Sequence, residues 1–313
     1  MKPWIVVIGG LVLLQFVSVP TQAADFWMHI HRGLSAEWVR LAEVDSLDFH
    51  TSDVGSGDVA IMPGTFLMGS PSTEAGRDET EVQHQVTLST PYLMSNHEVT
   101  QAEWQAVMGT NPSQWLGDDQ PVEQVTWYDC IAYCNRRSAI EGFDSVYVMS
   151  ARSYSGIHIT SAGTVTWDPM ANGYRLPTEA EWEYGCRAGS AMPFCNGGIT
   201  TPSSCSPLDP NLNLVGWYCG NAADPHDSGG KAPNAWNLQD MHGNVFEWCW
   251  DWFGSYSGTE TDPLGPVSGS RRVWRGGSWA SQPSACRSAY RGSYDVPGTW
   301  SNQTGLRVCR TIM

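Results

Sequence analysis

The stretch Asn234-Ala-Trp-Asn-Leu-Gln-Asp-Met-His-Gly-Asn-Val-Phe-Glu-Trp248 decides how this chain is read. Asn, Asp and Gly punctuate it every few positions, and Trp, Leu, Met, Val and Phe fill the gaps. Such a segment turns often and buries aromatic rings between its turns. The whole chain is composed in the same way: 16 Trp, 32 Gly and 19 Pro among 313 residues imply few long regular elements. Asp and Glu total 32 against 17 Lys and Arg, a formal charge of −15, and no basic run exceeds Arg136-Arg137 or Arg271-Arg272. A nucleic-acid partner is thereby excluded, because phosphate recognition needs clustered cations. At 41% hydrophobic residues, intrinsic disorder is excluded too.

Residues 1–23 read as an export signal. Lys2 precedes an apolar run from Trp4 to Val19, and small residues at Thr21-Gln-Ala23 set a cut between Ala23 and Ala24. The run is short and Gly-interrupted for a membrane span; an uncleaved anchor is the alternative reading. No second long apolar stretch follows, so no integral membrane domain is expected after cleavage, and the mature protein is expected to be a secreted or periplasmic monomer. All nine Cys lie beyond the signal, which in an exported protein suggests disulfides with at least one sulfur left over. Cys195 and Cys205 flank turn residues and suit a local bridge. Zinc is not suggested, since neither a Cys-x-x-Cys pair nor His-Glu-x-x-His occurs.

Residues 24–57 read as a short β extension and linker, with strands at 26–31 and 46–50 around a turn at Arg32-Gly33. His29, His31 and His50 are either a metal trio or solvent-facing side chains. Residues 58–313 read as one domain. Thr100-Gln-Ala-Glu103 and Thr178-Glu-Ala-Glu181 are capping boxes opening helices, the first ending near Gly109 and the second near Gly185 or Gly189. A further helix is expected from Trp127 to Glu141, stopped by Gly142. Residues 143–174 suggest a hairpin-like excursion, and 190–235 a long loop region. Glu179 and Glu183 share a helix face and read as solvated charge. Asp251 and Asp262 are candidate acids that no spacing selects. Nucleophile-elbow, phosphate-loop and dinucleotide motifs do not occur.

Gly173-Tyr-Arg-Leu-Pro-Thr-Glu-Ala-Glu-Trp-Glu-Tyr184, the 234–248 stretch, Arg275-Gly-Gly-Ser-Trp279 and Gly305-Leu-Arg307 stand in order, preceded by Pro63-Gly-Thr-Phe-Leu-Met-Gly-Ser70, Glu98-Val-Thr100 and Pro121-Val-Glu-Gln-Val-Thr-Trp127. Over residues 59–310 the chain resembles the formylglycine-generating enzyme, or sulfatase-modifying factor, family. The resemblance implies an α+β fold, loop-rich and related to C-type lectin-like domains. It implies an oxidoreductase that converts a cysteine of a sulfatase-like or other protein substrate to formylglycine, using oxygen and copper(I) on two thiolates. Soft thiolates suit Cu(I).

By the resemblance, the cleft falls on Ser278, Trp279, Ser281, Cys286 and Arg291. Cys286 stands alone there: in an ungapped comparison Ser281 takes the first cysteine position, and if Arg287-Ser-Ala-Tyr-Arg291 is matched to the family's Arg-x-Ala-x-Arg the loop is shorter and Cys286 is not the equivalent cysteine; on either matching the pair is missing and copper is not expected. If oxidation survives, Cys219 or Cys249 must approach a free, partly exposed Cys286. If the chain is instead a non-catalytic scaffold or a binding module for a peptide, glycan or partner protein, Cys286 is expected in a bridge with Cys186. Cys186 has Arg291 at its usual partner's position. The resemblance also implies a Cys134–Cys309 disulfide and a calcium site. The calcium set comprises side-chain oxygens of Asp240 and Glu247 and carbonyls of Gly243 and Val245; the alternative is a turn with Asp240 capping and Glu247 paired to an arginine.

Overall fold

The computed structural model describes residues 27–32, 35–40, 57–292 and 296–312. The chain divides into two compact units, Gly57–Ile312 and the part before it. In the first, β1 (Trp27–Arg32) and β2 (Ser35–Arg40) form an antiparallel hairpin with Arg32 opposite Ser35. The partner strand thus begins straight after the turn rather than at 46–50. His29 pairs with Trp38 and His31 with Ala36, so the partner strand supplies no third histidine. His50, the signal at 1–23 and the linker before Gly57 lie outside the described residues.

The second unit is built from short strands pinned by three capped helices. One sheet has the order β11 (Tyr174–Arg175), β16 (Cys309–Thr311), β6 (Tyr92–Ser95), β3 (Asp58–Ile61), with antiparallel pairs throughout. A second joins β13 (Glu260–Thr261), β5 (His84–Leu88) and β4 (Gly64–Met68). The third joins β14 (Arg272–Arg275), β12 (Phe246–Trp252) and β15 (Thr304–Gly305), and carries the end of the deciding stretch into its central strand. The excursion after the second helix consists of two ribbons: β7 (Tyr147–Met149) with β10 (Val165–Trp167), and β8 (Ser153–Ser155) with β9 (His158–Ser161).

The helices are α1 (Gln101–Met108), α2 (Trp127–Glu141), α3 (Glu179–Arg187) and the single turn α4 (Leu212–Val215). Thr100/Glu103, Thr126/Asp129 and Thr178/Glu181 each close a reciprocal capping box, so two otherwise unpaired N–H groups are satisfied at every long helix start. Gly109 and Gly142 end α1 and α2 in the left-handed conformation. α3 ends on Ala188, itself left-handed, between the two glycines expected to stop it.

Two cores result. α2 buries Trp127, Cys130, Ile131, Tyr133 and Cys134 against Tyr147, Leu176, Trp248 and Leu306. α3 buries Ala180, Trp182 and Cys186 against Met94, Leu238, Val273 and Cys309. The expected Cys134–Cys309 bridge does not form: both thiols are free and sit in different cores. The disulfide present is Cys205–Cys219, with Cα atoms 5.4 Å apart. It closes the loop region, but leaves Cys195, the partner expected for Cys205, free.

Candidate functional site

The stretches that carry the resemblance meet in a buried charge network. Glu183 of α3 accepts from the Gly69 N–H (2.8 Å), Arg187 Nε (2.8 Å) and the Arg275 guanidinium. Glu179, one turn earlier, is held by Arg291 through Nε (2.6 Å) and Nη2 (2.8 Å). Trp182 Nε1 donates to Glu247 Oε2 at 2.6 Å, and Arg307 Nη2 to Glu247 Oε1 at 2.8 Å. Glu179 and Glu183 are therefore fully enclosed ion-pair partners and not solvated charge. Burial raises the Glu179 acid, but Arg291 and Arg275 outweigh it and hold it below the usual carboxylate range. Removing one partner from such a pair strands a buried charge at a cost of about 3–5 kcal/mol.

This frame aims β14 into the turn at Gly276 and Gly277, both with positive φ. A Cβ on Gly277 would lie 2.5 Å from Cys286 Sγ, so the turn tolerates no side chain there. Ser278 is buried. Its Oγ lies 3.0 Å from Ser281 Oγ and donates to Gln303 Oε1 at 2.9 Å, and among the described residues no imidazole or carboxylate is hydrogen-bonded to either serine to act as a base. Trp279 is half-buried, its Nε1 donating to Asn302 O at 3.1 Å, and Trp115 meets it edge-on at 6.3 Å. The Cys219 N–H donates to Ser281 O at 3.1 Å, so the Cys205–Cys219 bridge ties the loop region to this wall.

The structure brings Ser278, Trp279 and Ser281 together and packs Cys286 Sγ under the Gly277 turn beside them, but encloses that thiol and takes Arg291 away. Arg291 is buried on Glu179, with its guanidinium 3.9 Å from the Tyr256 ring centre. Cys286 is free but fully buried with Phe194, Leu212 and Tyr218, and burial pushes its thiol far up, the opposite of a poised thiolate. The expected bridge to Cys186 is absent, since Cys186 Sγ faces Met241 O at 3.6 Å and Ser288 Oγ at 3.5 Å. His242 stands beside Cys186, its ring nitrogens 3.8–3.9 Å from that thiol. Its Nδ1 donates to Cys286 O at 2.8 Å, and its Nε2 accepts from the Cys195 N–H at 3.0 Å. Cys219 is in its disulfide and Cys249 is buried in the α3 core. The donor set for copper(I) does not fit: one oxygen and one enclosed thiol replace two thiolates.

The calcium set fits at one end. Asp240 Oδ1 is buried without a partner, and Oδ2 accepts from the Gly229 N–H. Burial, with repulsion from Glu247, pushes Asp240 up to about 6. Glu247 does not fit, because Arg307 and Trp182 occupy both its oxygens. A carboxylate missed in the sequence, Glu98, lies in the same neighbourhood. It accepts from the Val245 N–H (3.0 Å) and Asn244 Nδ2 (2.7 Å), and burial followed by repulsion from Asp240 and Glu247 drives it well up. Among the described residues no three His, Cys, Asp or Glu side chains are grouped to hold a metal. Gln303 and Trp115 were also missed, since neither sits in a motif and only the fold carries them to Ser278 and Trp279.

The comparisons agree with this geometry. The family model described as sulfatase-modifying factor enzyme 1-like domain matches residues 48–312. The chain is 33% identical to the chaperone protein LppX of Paenibacillus barcinonensis, over 82% of this chain and 90% of that one. It is 27% identical to the formylglycine-generating enzyme of Thermomonospora curvata, over 82% and 93%. Among solved structures, Treponema denticola variable protein 1 superposes with a TM-score of 0.71 at 30% identity, over 82% of this chain and 95% of that one. PvdO from Pseudomonas aeruginosa superposes with 0.64 at 25%, over 82% and 94%. The family model, the shared α+β architecture and the meeting of the motif residues in one network place this chain in the formylglycine-generating enzyme, or sulfatase-modifying factor, family.

Proposed function

We propose that this chain is an exported, non-oxidising member of its family, a binding module for a partner protein. One observation carries the reading: Cys286 is enclosed, with burial pushing its thiol up, while by the resemblance Ser281 takes the position of the first thiolate at the cleft. The surface that remains there is suited to recognition. Trp279 and Trp115 offer half-buried rings, Leu116 is 77% exposed beside them, and Asn302 Nδ2 with Gln114 Oε1 frames the edge. The Trp279 ring, fixed by its hydrogen bond to Asn302 O, can bind at low entropic cost. The chaperone name of a relative that this chain matches over most of its length supports a protein partner. The Cys205–Cys219 bridge supports an oxidising compartment, in keeping with the signal read at 1–23. Among the described residues no helix is long and apolar enough to cross a membrane.

We also propose a structural calcium ion at Asp240, with the unpartnered Oδ1 as the supporting observation and Glu247 serving as Arg307's partner instead of a ligand. Bound there, the ion would neutralise part of the acidic cluster; it supplies no chemistry to the cleft. The test of the binding-module reading is a copper(I) titration of the purified mature protein against a competing chelator. The expected result is no site that Cys286→Ser removes. A tight copper(I) site lost in that variant would overturn the reading.

A further inference from the structure

We propose that a second, independent ligand site lies between the N-terminus of α3, β5 and the 254–266 loop, where Asp251 and His84 bind a small primary ammonium group. The cavity measures about 270 Å³, and its walls include Met68, His84, Glu179, Asp251, Tyr256 and Arg291. Ser255, Ser257 and Gly265 of the wall are exposed, so one side faces solvent. The volume falls just below that of ordinary drug-sized pockets, which sets the guest at a few carbons.

Most charge in the walls is already paired. Glu179 and Arg291 cancel in their bidentate pair, and the Tyr256 hydroxyl donates to Glu179 Oε1 at 3.2 Å. Asp251 is different. It is 3% exposed, and its Oδ2 accepts from the Glu179 N–H at 2.7 Å. Among the described residues no cation lies within ion-pair distance of it: Arg272, the nearest in charge, is stacked on Trp127 and Trp252 and donates to Trp250 O. A buried carboxylate without a counter-charge is costly unless it takes a proton or a cation.

His84 is the second unpaired group. Its Nδ1 lies 2.9 Å from Val82 O, and a carbonyl only accepts, so Nδ1 carries the ring proton. Nε2 is then an acceptor, and it is buried with no partner while its ring rests on Tyr256, centroids 4.2 Å apart. Both unpaired groups of the cavity therefore accept, and one of them bears a negative charge once ionised. An ammonium answers both, with three donors and one positive charge. Glu260 at the wall and the chain's net charge of −15 add attraction for a cation. Burial, then Glu179, pushes Asp251 up to about 8, with Glu181 adding to the rise and Arg272 opposing it; an ammonium beside the carboxyl reverses that shift.

The probe is n-butylamine, with 1-butanol and butyltrimethylammonium as controls of the same length, titrated calorimetrically into the mature protein. Butylamine is expected to bind, butanol not to, and the trimethylated cation to bind more weakly because it has no N–H. Asp251→Asn keeps an acceptor for the Glu179 N–H and should weaken butylamine binding about a hundredfold, the scale of a lost buried charge pair. His84→Phe keeps the ring contact with Tyr256 and should weaken it about tenfold. Near-ultraviolet circular dichroism reports whether each variant folds, and if Asp251→Asn does not fold, His84→Phe decides. No binding to the wild type, equal binding of butanol, or undiminished binding by the folded variants would each overturn the proposal.

Discussion

At the scale of single residues, buried acids separate into those with a partner and those without. Glu183 and Glu247 are saturated by arginines; Arg187 is one helix turn from Glu183, but Arg275 and Arg307, which enclose the two acids, lie 92 and 60 positions away, where no spacing in the sequence shows them. Two positions on one helix face look alike whether they meet water or a distant guanidinium. Asp251 and Asp240 are the unsaturated pair, and each gives a prediction. The folded pKa of Asp251 is raised from 3.8 to about 8, so its contribution to stability is full below pH 4 and is lost as pH rises towards 8. Denaturant unfolding across that window should show wild-type stability falling by a few kcal/mol relative to Asp251→Asn, which keeps the hydrogen bond and has no charge to bury. Parallel pH profiles for the two proteins would contradict the assignment. At Asp240, a chelator should lower the melting temperature of wild type at neutral pH but not of Asp240→Ala. That protection should fade as pH falls through about 6, where a proton competes for the carboxylate. Identical melting with chelator and with calcium would remove the proposed ion.

At the scale of elements, what was legible is what is local. The capping boxes at Thr100 and Thr178, the span of α2 and its glycine stop could be read because their signals lie within a few residues of the structure they cause. Disulfide pairing was not legible. Cys205 lies ten positions from the expected partner and 14 from the real one, and either loop closes at nearly the same entropic cost. What selects Cys219 is the fold, which anchors its N–H on Ser281 and so brings the cysteine to the cleft wall. The pairing predicts seven reactive thiols when the denatured, unreduced protein is titrated with a thiol reagent. Replacing Cys205 and Cys219 together by serine should leave that count at seven and cost about 3 kcal/mol, the scale for a loop of about 15 residues. A count of five or fewer would mean that further bridges, such as Cys134–Cys309, do form.

For the molecule as a whole, the long motifs identify a framework. Their Glu, Arg and Trp residues lock α3, β12, β14 and the turn before Arg307 into one unit, which is why the family and its α+β fold could be recognised from sequence. The chemistry of the cleft sits on residues that this framework does not constrain, and there the chain carries Ser281 and an enclosed Cys286. On the reading proposed above, fold and function are separable in this protein. Expectations of Arg291 in the cleft and Glu247 on calcium failed for one reason: both side chains belong to the framework. The most direct test is to incubate the mature protein with copper(I), oxygen and a Cys-x-Pro-x-Arg peptide and to follow the peptide by mass spectrometry. The account predicts no formylglycine above that formed with Cys286→Ser. Copper-dependent conversion of the peptide cysteine that disappears in Cys286→Ser would contradict it.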